Sequence, residues 1–283
     1  MSEEIVTTAD RPDEESIAYR ATRNLLKTYR KRIWAPFVSA VKEYGFIREG
    51  DRIAVCMSGG KDSAVLAVLM KQLQRYSDFP FEVCYIVMDP GYSAENRAKI
   101  HENAAKLEIP IDVFETNIFG VTAKTEKNPC YLCARMRRGH LYNYAKSKGC
   151  NKIALGHHFS DVIETTLMGM LWGAQIQGML PKLSSTNYEG MELIRPLYKV
   201  HEDDIISWAK YNGLDFLACA CRMTDASVMD EDKSKRRETK RLIRELKKTN
   251  PDVEKNIFNS IHMANVDTLV GYKLNGVKHP WEG

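Results

Sequence analysis

Short apolar runs alternate with longer amphipathic stretches over the first two thirds of the chain. The apolar runs are bounded by Gly, Pro, Asp or Ser, a pattern that predicts β-strands. The predicted strands are 51–57, 81–88, 111–116, 152–156 and 192–198. The stretches between them repeat apolar residues every three or four positions, which predicts helices. The principal predicted helices are 62–76, 93–107, 135–149, 160–172 and 202–211.

This alternation predicts the fold class. Strands that alternate with helices at this spacing form βαβ units, which build a parallel sheet with helices on both faces. We therefore expect an α/β protein with a Rossmann-like sheet. Ser16, Ser93 and Ser160 each stand at the start of a predicted helix and are expected N-caps, and Gly149 is an expected C-terminal glycine.

Both ends of the chain depart from the alternation. Residues 16–44 form one predicted helix, which Pro36 is expected to kink or divide. The region from 234 onward is predicted to be all-helical. The expected domains are a disordered acidic tail at 1–15, a helical extension at 16–48, a main α/β domain at 49–223 and a basic helical extension at 224–283.

Composition restricts the class of protein and its compartment. No apolar run approaches the roughly 18 residues needed to span a bilayer. The N-terminus is acidic and unlike a secretory signal, so we expect a cytoplasmic protein with no membrane partner. Structural disulfides are not expected in a reducing compartment. Cys56, Cys84 and Cys150 stand alone, and each is predicted to be a small buried apolar residue.

The formal net charge of +4 is modest, but the positive charges are clustered. Residues 233–248 hold nine Lys and Arg against two Glu, and smaller basic patches occur at 29–32 and 135–138. One basic helical face is usually a solvated surface. Three clusters in one chain favour a polyanionic partner such as a nucleic acid.

The segment "SGGKDS" at 58–63 lies between the first predicted strand and the helix that follows it. Ligands bind at the carboxyl ends of the strands in open parallel sheets. Gly59 and Gly60 let the backbone approach a ligand closely, and their N–H groups, with the helix N-terminus behind them, form an anion-binding nest. Ser58 and Ser63 add hydroxyl donors. This turn is suited to a pyrophosphate.

Two charged residues in the segment refine that prediction. Lys61 adds a positive charge, whereas the Asp62 carboxylate would repel phosphates unless a cation intervened, which indicates Mg²⁺. The segment is not a Walker A loop, because an aspartate follows the lysine where that motif has Ser or Thr. The alternative is a glycine-rich turn with no ligand.

At these residues the chain resembles the PP-loop family of N-type ATP pyrophosphatases, which cleave ATP between the α- and β-phosphates and adenylate a substrate. The resemblance implies the fold of that superfamily, with ATP held at three strand ends. The implied ATP-binding residues are Ser58, Gly59, Gly60, Lys61, Asp62, Ser63, Met88, Asp89, Gly156 and His157. Lys61, Asp62 and Asp161 are the implied catalytic residues. Related enzymes usually carry a second aspartate where this chain has Ser160.

The cysteines distinguish among members of the superfamily. Cys130 and Cys133 form a C-x-x-C pair near the start of a predicted helix, and Cys219 and Cys221 are the other closely spaced pair. A C-x-x-C pair serves as a redox dithiol, as half of a zinc site or as part of an iron–sulfur site. If the C-x-x-C pair and one late cysteine bind a 4Fe–4S cluster, one iron stays open to an exogenous ligand. If both late cysteines join the pair, the four thiolates make a closed zinc site.

The combination of motifs is similar to the tRNA 2-thiocytidine synthetases. These motifs are "SGGKDS", C-x-x-C before an Arg-rich helix, "GHH" at 156–158, "GAQIQGMLPKL" at 173–183 and a late cysteine. The resemblance runs from about 26 to 223. It implies a 4Fe–4S cluster on Cys130, Cys133 and one of Cys219 or Cys221, and the spacing from the helix at 202–211 favours Cys219.

The implied reaction uses ATP and Mg²⁺ to adenylate a cytidine of the tRNA anticodon loop, at position 32, and then replaces its 2-oxygen with sulfide delivered by the cluster. A cysteine desulfurase or inorganic sulfide is the expected sulfur donor, and a homodimer is compatible with the sequence. The expected RNA-binding residues are Arg135, Arg137, Arg138, Lys235, Arg236 and Arg237. The alternatives are a PP-loop enzyme acting on another tRNA position or a small molecule, and a zinc-containing RNA-binding relative.

Overall fold

The computed structural model of the chain describes residues 16–122, 129–217 and 235–281, and the backbone alone at 129–131. The chain divides into two compact units. The first is drawn from Met1–Phe159 and Leu180–Met229, and the second from Ser160–Met179 and Asp230–Gly283. Among the described residues, no helix combines the length and apolarity that a membrane span requires.

A six-stranded sheet forms the centre of the first unit, with strand order β3-β2-β1-β4-β6-β5. All neighbouring strands are parallel except the β5–β6 pair, which is antiparallel. The strands are β1 Arg52–Met57, β2 Glu82–Asp89, β3 Ile111–Glu115, β4 Lys152–Ala154, β5 Lys182–Ser184 and β6 Glu192–Ile194. The predicted α/β fold with a Rossmann-like sheet is confirmed.

The burial of the strands explains why their sequences are continuous apolar runs. In β1 every residue after Arg52 is buried, as expected for a central parallel strand that is covered on both faces. The edge strand β3 is half-exposed and carries polar residues. The other edge strand, β5, was not predicted, because three partly exposed residues carry too little periodicity to be recognised.

The helices predicted up to residue 211 are present, although the helix predicted to begin at 135 begins at Pro129 and the short helix Ile118–Thr122 was not predicted. Ser16 and Ser93 accept hydrogen bonds as N-caps, and Gly149 has a φ of 74°, as its predicted C-terminal position requires. The helices are α1 Ile17–Leu26, α2 Ala35–Glu43, α3 Lys61–Arg75, α4 Ala94–Lys106, α5 Ile118–Thr122, α6 Pro129–Ser147, α7 Phe159–Gly173 and α8 Glu202–Tyr211. Ser160 is not an N-cap, because α7 already begins at Phe159.

The N-terminal helical region is divided near Pro36, as predicted. A π-helical turn at Arg30–Trp34 separates α1 from α2. Pro36 lies in the first turn of α2, where its missing N–H has no helical partner to lose. The buried face of the whole region consists of Ala18, Ala21, Leu25, Tyr29, Ile33, Phe37 and Ala40.

The second unit contains most of α7, the basic helix α9 Lys235–Thr249 and α10 Val253–His262. It ends in a β-hairpin of β7 Gly271–Leu274 and β8 Val277–Pro280. The prediction of an all-helical region after 234 is therefore wrong. The hairpin turn is formed by Asn275 and Gly276, whose φ values of 49° and 82° are those of a type I′ turn.

Two of the cysteines expected to stand alone are neighbours. The Sγ atoms of Cys84 and Cys150 lie 3.1 Å apart in a cluster that also contains buried Cys56. Cys56 and Cys150 are buried, as predicted, whereas Cys84 is only partly buried. These three residues belong to the core beneath α6 and β4, and none of them is a member of the two cysteine pairs singled out above.

A buried ion cluster stabilises the amino ends of the strands. The Lys152 ammonium lies 2.7 Å from Asp51 Oδ2 and 3.2 Å from Glu192 Oε2, and it donates to the Phe46 carbonyl at 2.9 Å. Lys152 is only 2% exposed. Burial opposes the charge on Asp51, but hydrogen bonds from Lys152, Asn151 and the Arg48 N–H outweigh it and lower the pKa of this carboxyl.

Candidate nucleotide site

The segment 58–63 forms a tight loop between the end of β1 and the first turn of α3. Gly59 has a φ of 82°, a conformation that favours glycine. A Cβ atom there would lie 2.8 Å from Ile100 Cγ1 and 3.0 Å from Leu217 Cδ1. Both the backbone conformation and the space therefore require glycine. Gly60 is the extended N-cap residue of α3, and the N–H groups of the first helical turn point toward the loop.

The Ser63 hydroxyl fixes the shape of this loop. Its Oγ accepts from the Ser58 N–H at 3.1 Å and donates to the Gly60 carbonyl at 3.0 Å. The Ser58 hydroxyl lies 3.3 Å from the same oxygen. Ser63 is 4% exposed, so it is a structural member of the loop, whereas Ser58 is exposed. A hydroxyl inside the loop therefore fixes the backbone conformation of the predicted anion-binding nest.

Lys61 is held between two carboxylates. Its Nζ lies 3.2 Å from Asp62 Oδ2 and 3.0 Å from Glu202 Oε1, at the start of α8. Burial disfavours the charged ammonium, but the two carboxylates outweigh this effect and raise the pKa of Lys61 above its ordinary value. The lysine is therefore charged at neutral pH and has a fixed position before any ligand is present.

Asp62 has one oxygen that is buried without a hydrogen bond among the described residues. This Oδ1 lies 3.6 Å from His158 Nε2, beyond hydrogen-bonding distance, while Oδ2 contacts Lys61. A buried carboxylate oxygen without a donor is costly unless a cation or an ordered water satisfies it. This arrangement suits a divalent cation, whose preferred ligands are oxygens.

The end of β4 packs directly against the loop. An added Cβ on Gly156 would lie 3.0 Å from both the Asp62 carbonyl carbon and the Ser63 nitrogen. Only glycine allows this close approach of two backbones without displacement of the loop. The two histidines after it differ: His158 is 4% exposed, whereas His157 is only half-buried. Gly156 is thus brought to the loop, as its predicted role in the site requires.

The end of β2 is shaped by Asp89. Its Oδ1 accepts from the N–H groups of Gly91 and Tyr92 at 2.8 and 2.7 Å, and its Oδ2 lies 2.5 Å from Arg97 Nε. The carboxylate is 97% buried and is occupied by these protein contacts. Any role of Met88 and Asp89 in binding ATP therefore falls to the backbone, and it stays a prediction.

The remaining predicted catalytic residue, Asp161, lies in the second unit. Its Oδ1 is 3.0 Å from an Arg236 nitrogen, and Glu164 on the same helix lies 3.8 Å from Arg236 Nε. Arg236 was predicted to bind RNA, but these carboxylates already surround its guanidinium. Lys235 and Arg237 are exposed on α9, and on α6 Arg135 and Arg138 are exposed while Arg137 donates to the Tyr92 hydroxyl at 3.1 Å.

The predicted cysteine site is described only in part. Cys130 and Cys133 lie three positions apart on α6, and the Cys133 side chain is half-buried. Cys219 and Cys221 lie outside the described residues. Within the described ranges, no group of three metal-ligating side chains is present. The ligand set stays a prediction.

The segment before Cys219 is hydrogen-bonded to the loop of residues 58–63, which is called the nucleotide loop below. The Leu217 N–H donates to the Gly59 carbonyl at 3.2 Å, and the Asp215 carbonyl accepts from Asn103 Nδ2 at 2.9 Å. Neither these contacts nor the pairing of Glu202 with Lys61 was predicted from the sequence. Glu202 belongs to an ordinary acidic first turn of a helix, and its pairing depends on where α8 lies in the fold.

Replacement of Glu202 is expected to separate ATP binding from turnover. In Glu202→Ala, Lys61 loses its fixed position, so kcat for the ATP-dependent reaction that the PP-loop resemblance implies should fall about tenfold. The KM for ATP should not rise, because a negative charge near the polyphosphate is also removed. Glu202→Gln should retain part of kcat, since its amide oxygen can still accept from Lys61. Steady-state kinetics with varied ATP measures both constants.

Asp203→Asn is the matched control, because Asp203 is an exposed carboxylate in the same helical turn. It should leave kcat and KM unchanged. A raised KM with normal kcat in Glu202→Ala would show that this carboxylate supports ATP binding and does not position Lys61.

The chain is similar in sequence to known proteins. The model of a family described as a PP-loop domain, ATP_bind_3, matches residues 21–232. The tRNA-cytidine(32) 2-sulfurtransferase of Pelobacter propionicus is 32% identical over 241 residues, 84% of this chain and 87% of that protein. The protein of the same name from Legionella pneumophila strain Corby is 33% identical over 247 residues, 86% of this chain and 85% of that protein.

A solved structure has the same fold. The U34-tRNA thiolase NcsA from Methanococcus maripaludis, determined with its 4Fe–4S cluster, superposes with a TM-score of 0.62 at 20% identity. The match covers 81% of this chain and 76% of that one. At this identity the likeness concerns the fold alone.

Proposed function

The chain belongs to the PP-loop family, and on that premise we propose that it is an ATP-dependent tRNA sulfurtransferase that acts on cytidine 32. Two relatives that carry this activity in their names are 32% and 33% identical over more than four fifths of the chain. The observation that carries the proposal is the loop of residues 58–63, where a glycine nest, a fixed ammonium and an unsatisfied carboxylate oxygen meet.

Each of these groups has a place in binding ATP. The N–H groups of the glycine nest would hold the β- and γ-phosphates, and Lys61 would add its charge to them. Asp62 Oδ1 would bind Mg²⁺, which removes the repulsion between this carboxylate and the phosphates. Glu202 would keep the Lys61 ammonium in one position beside the loop. The site is therefore suited to a nucleoside triphosphate with its metal ion.

The proposed first step is adenylation of the RNA base. The 2-oxygen of the cytidine attacks the α-phosphate, the bond to the β-phosphate breaks, and pyrophosphate leaves. Lys61 and the loop N–H groups stabilise the negative charge that develops on the leaving pyrophosphate. The C2 atom then carries a good leaving group, AMP. The target base must be turned out of its stack to reach the loop.

The second step requires sulfur, and the cysteines fit a 4Fe–4S cluster. Cys130 and Cys133, three positions apart on α6, would supply two of the thiolate ligands. Cys219, the preferred third ligand over Cys221, follows by two residues a leucine that is bonded to the nucleotide loop. A cluster with three protein ligands would supply sulfide to the activated carbon from its open iron. The sulfur would come from a cysteine desulfurase or inorganic sulfide.

Thiolation can be tested directly on RNA. The anaerobically prepared protein, incubated with ATP, Mg²⁺, sulfide and an unmodified tRNA transcript, should form 2-thiocytidine at position 32, detected by mass spectrometry. AMP should appear in equal amount. A transcript with uridine at position 32 is the control. AMP release without any thiolated RNA would contradict the proposed function and favour a PP-loop enzyme with another substrate.

The ligand set predicts three sensitive cysteines and one tolerant cysteine. Alanine at Cys130, at Cys133 or at Cys219 should remove iron and acid-labile sulfide from the protein and abolish thiolation, whereas Cys221→Ala should keep both. Cys84→Ala is the control, because Cys84 lies in the other cysteine group. Metal analysis gives the readout. One zinc per chain, lost equally in all four variants, would contradict the open-iron proposal.

A further inference from the structure

The first helix has one apolar face and one wholly basic face. From Ser16 to Lys42 the chain contains seven Lys and Arg and no Asp or Glu. Ala21 and Leu25 are fully buried, while Arg20, Arg23 and Lys27 are exposed. This surface includes the basic patch at 29–32 but none of the predicted nucleotide or cysteine motifs, and its positive charge favours an anionic partner.

A pocket of about 500 Å³ opens where this basic face meets the end of α8. It is lined by Arg20, Arg23, Asn24, Tyr211, Asn212 and Gly213. Across it, Asn24 Nδ2 donates to Asn212 Oδ1 at 2.8 Å and joins α1 to the end of α8. In the described part of the chain, neither arginine forms an ion pair with a carboxylate. The pocket therefore presents two guanidinium groups with unsatisfied charge.

Tyr211 adds an aromatic surface to these charges. Its side chain is 64% exposed, although a large apolar ring is normally buried. The ring of Tyr29 contacts it in an edge-on arrangement, with centroids 6.0 Å apart, and limits its movement. An exposed, fixed ring beside two arginines is the combination on which single-stranded nucleic acids bind, through base stacking and phosphate contacts.

The basic helix α9, by contrast, carries its own counter-ions. Besides Arg236, whose contacts are given above, Lys247 lies 2.6 Å from Glu254 and Lys248 lies 2.7 Å from Glu245. A polyanion binding there would have to displace these carboxylates. On α1, by comparison, Arg20 and Arg23 have no ion pair with a carboxylate among the described residues, although Arg32 further along the chain lies 3.2 Å from Asp204.

We propose that the Arg20/Arg23/Tyr211 pocket binds the tRNA substrate, with the two arginines on backbone phosphates and a loop base stacked on Tyr211. The identity of the RNA rests on the proposed function. α8 connects this pocket to the nucleotide loop, because Glu202 at one end contacts Lys61 and Tyr211 lies at the other. Ten helical residues span about 15 Å, so one RNA stem–loop can contact both places.

The test measures tRNA binding by the full-length protein as a function of salt. Arg20→Gln combined with Arg23→Gln should weaken binding of the unmodified transcript at least tenfold. It should also lower the slope of log K against log salt by about 2, since two phosphate contacts are lost. The control is Arg48→Gln with Arg75→Gln, which removes the same charge from exposed positions near the amino ends of the strands. The control should keep both values.

Substitutions of Tyr211 distinguish the contribution of base stacking to tRNA binding from that of charge. Tyr211→Ala should weaken binding roughly fivefold or more with an unchanged salt slope, whereas Tyr211→Phe should bind as the wild type does. Equal affinities and slopes for the wild type and the double arginine variant would overturn the proposal. The proposal would also be overturned if the double arginine variant bound tRNA normally but lost affinity for poly-glutamate. The partner of the pocket would then be an acidic polypeptide.

Failure of the docking proposal is distinguishable from failure of the proposed function. If wild-type protein thiolates tRNA while the arginine variant binds and reacts normally, only the pocket assignment fails. If wild-type protein neither binds nor thiolates tRNA, the proposed function fails as well. For the expected case, the arginine variant should show a raised KM for tRNA and an unchanged kcat at saturating tRNA, since the nucleotide site is untouched.

Discussion

Lys61→Ala should lower the tRNA-dependent release of AMP by roughly 10²- to 10³-fold, the usual effect of removing one group that stabilises a developing charge. The ammonium is fixed by Asp62 and Glu202, and its pKa is raised, so it is present and charged in the wild type. The variant should fold normally, because Lys61 is a partly exposed residue of the first helical turn. A coupled assay for AMP and pyrophosphate measures the rate.

The matched control is Lys71→Ala. Lys71 lies on the same helix and donates to the Glu108 carbonyl, away from the loop. It should keep the wild-type rate. AMP release within about threefold of wild type in Lys61→Ala would contradict the assignment of the loop as the pyrophosphate site, whatever the RNA data show.

Lys152→Met should have the largest effect on stability, a loss of about 3–5 kcal/mol in the free energy of unfolding. The substitution leaves Asp51 buried with no cation beside it, while the methionine fills a similar volume. Lys148→Met is the control. It removes an exposed pair with Asp112, whose side chains are both 41% exposed, and should cost no more than about 1 kcal/mol. Urea unfolding measures both.

Acid should act on the same cluster. The pKa of Asp51 is lowered in the folded protein, so its contribution to stability is complete above the unfolded value of about 3.9 and is lost as the pH falls through the folded pKa. In Lys152→Met the main hydrogen bond that lowers this pKa is gone, so the folded pKa of Asp51 rises and the variant should lose less stability than the wild type as the pH falls. A Lys152→Met loss below about 1 kcal/mol would show that the cluster is not buried in solution.

The sheet could be predicted because its central strands are buried on both faces. β1 and β2 therefore carry continuous apolar runs between polar turns, and local pattern is sufficient to recognise them. The C-terminal hairpin could also have been predicted, since Asn-Gly at 275–276 is a strong hairpin signal. The basic composition of the preceding helix obscured it. β5 carries no comparable signal, because it is a short edge strand that pairs with β6 alone among the described strands.

The nucleotide loop could be predicted because its chemistry is contiguous in sequence. Ser58 through Ser63 carry the phosphate site within six residues, and the fold adds only orientation. Glu202 and His158 could not be assigned in this way. They are separated from Asp62 by about a hundred residues or more, and their roles exist only after the strand ends and α8 are brought together. The clustered positive charges likewise predicted a polyanionic partner. They could not show that carboxylates already neutralise part of the basic surface of α9.

The bond between Leu217 and Gly59 has an evolutionary consequence. Surface connections ordinarily accept insertions and deletions, because their backbone contacts little else. The connection after α8 is different, since its backbone is bonded to the loop at Leu217 and to Asn103 at Asp215. An insertion there would break one of these bonds or displace Gly59. Residues 214–217 are therefore expected to tolerate insertions and deletions less well than other surface connections do.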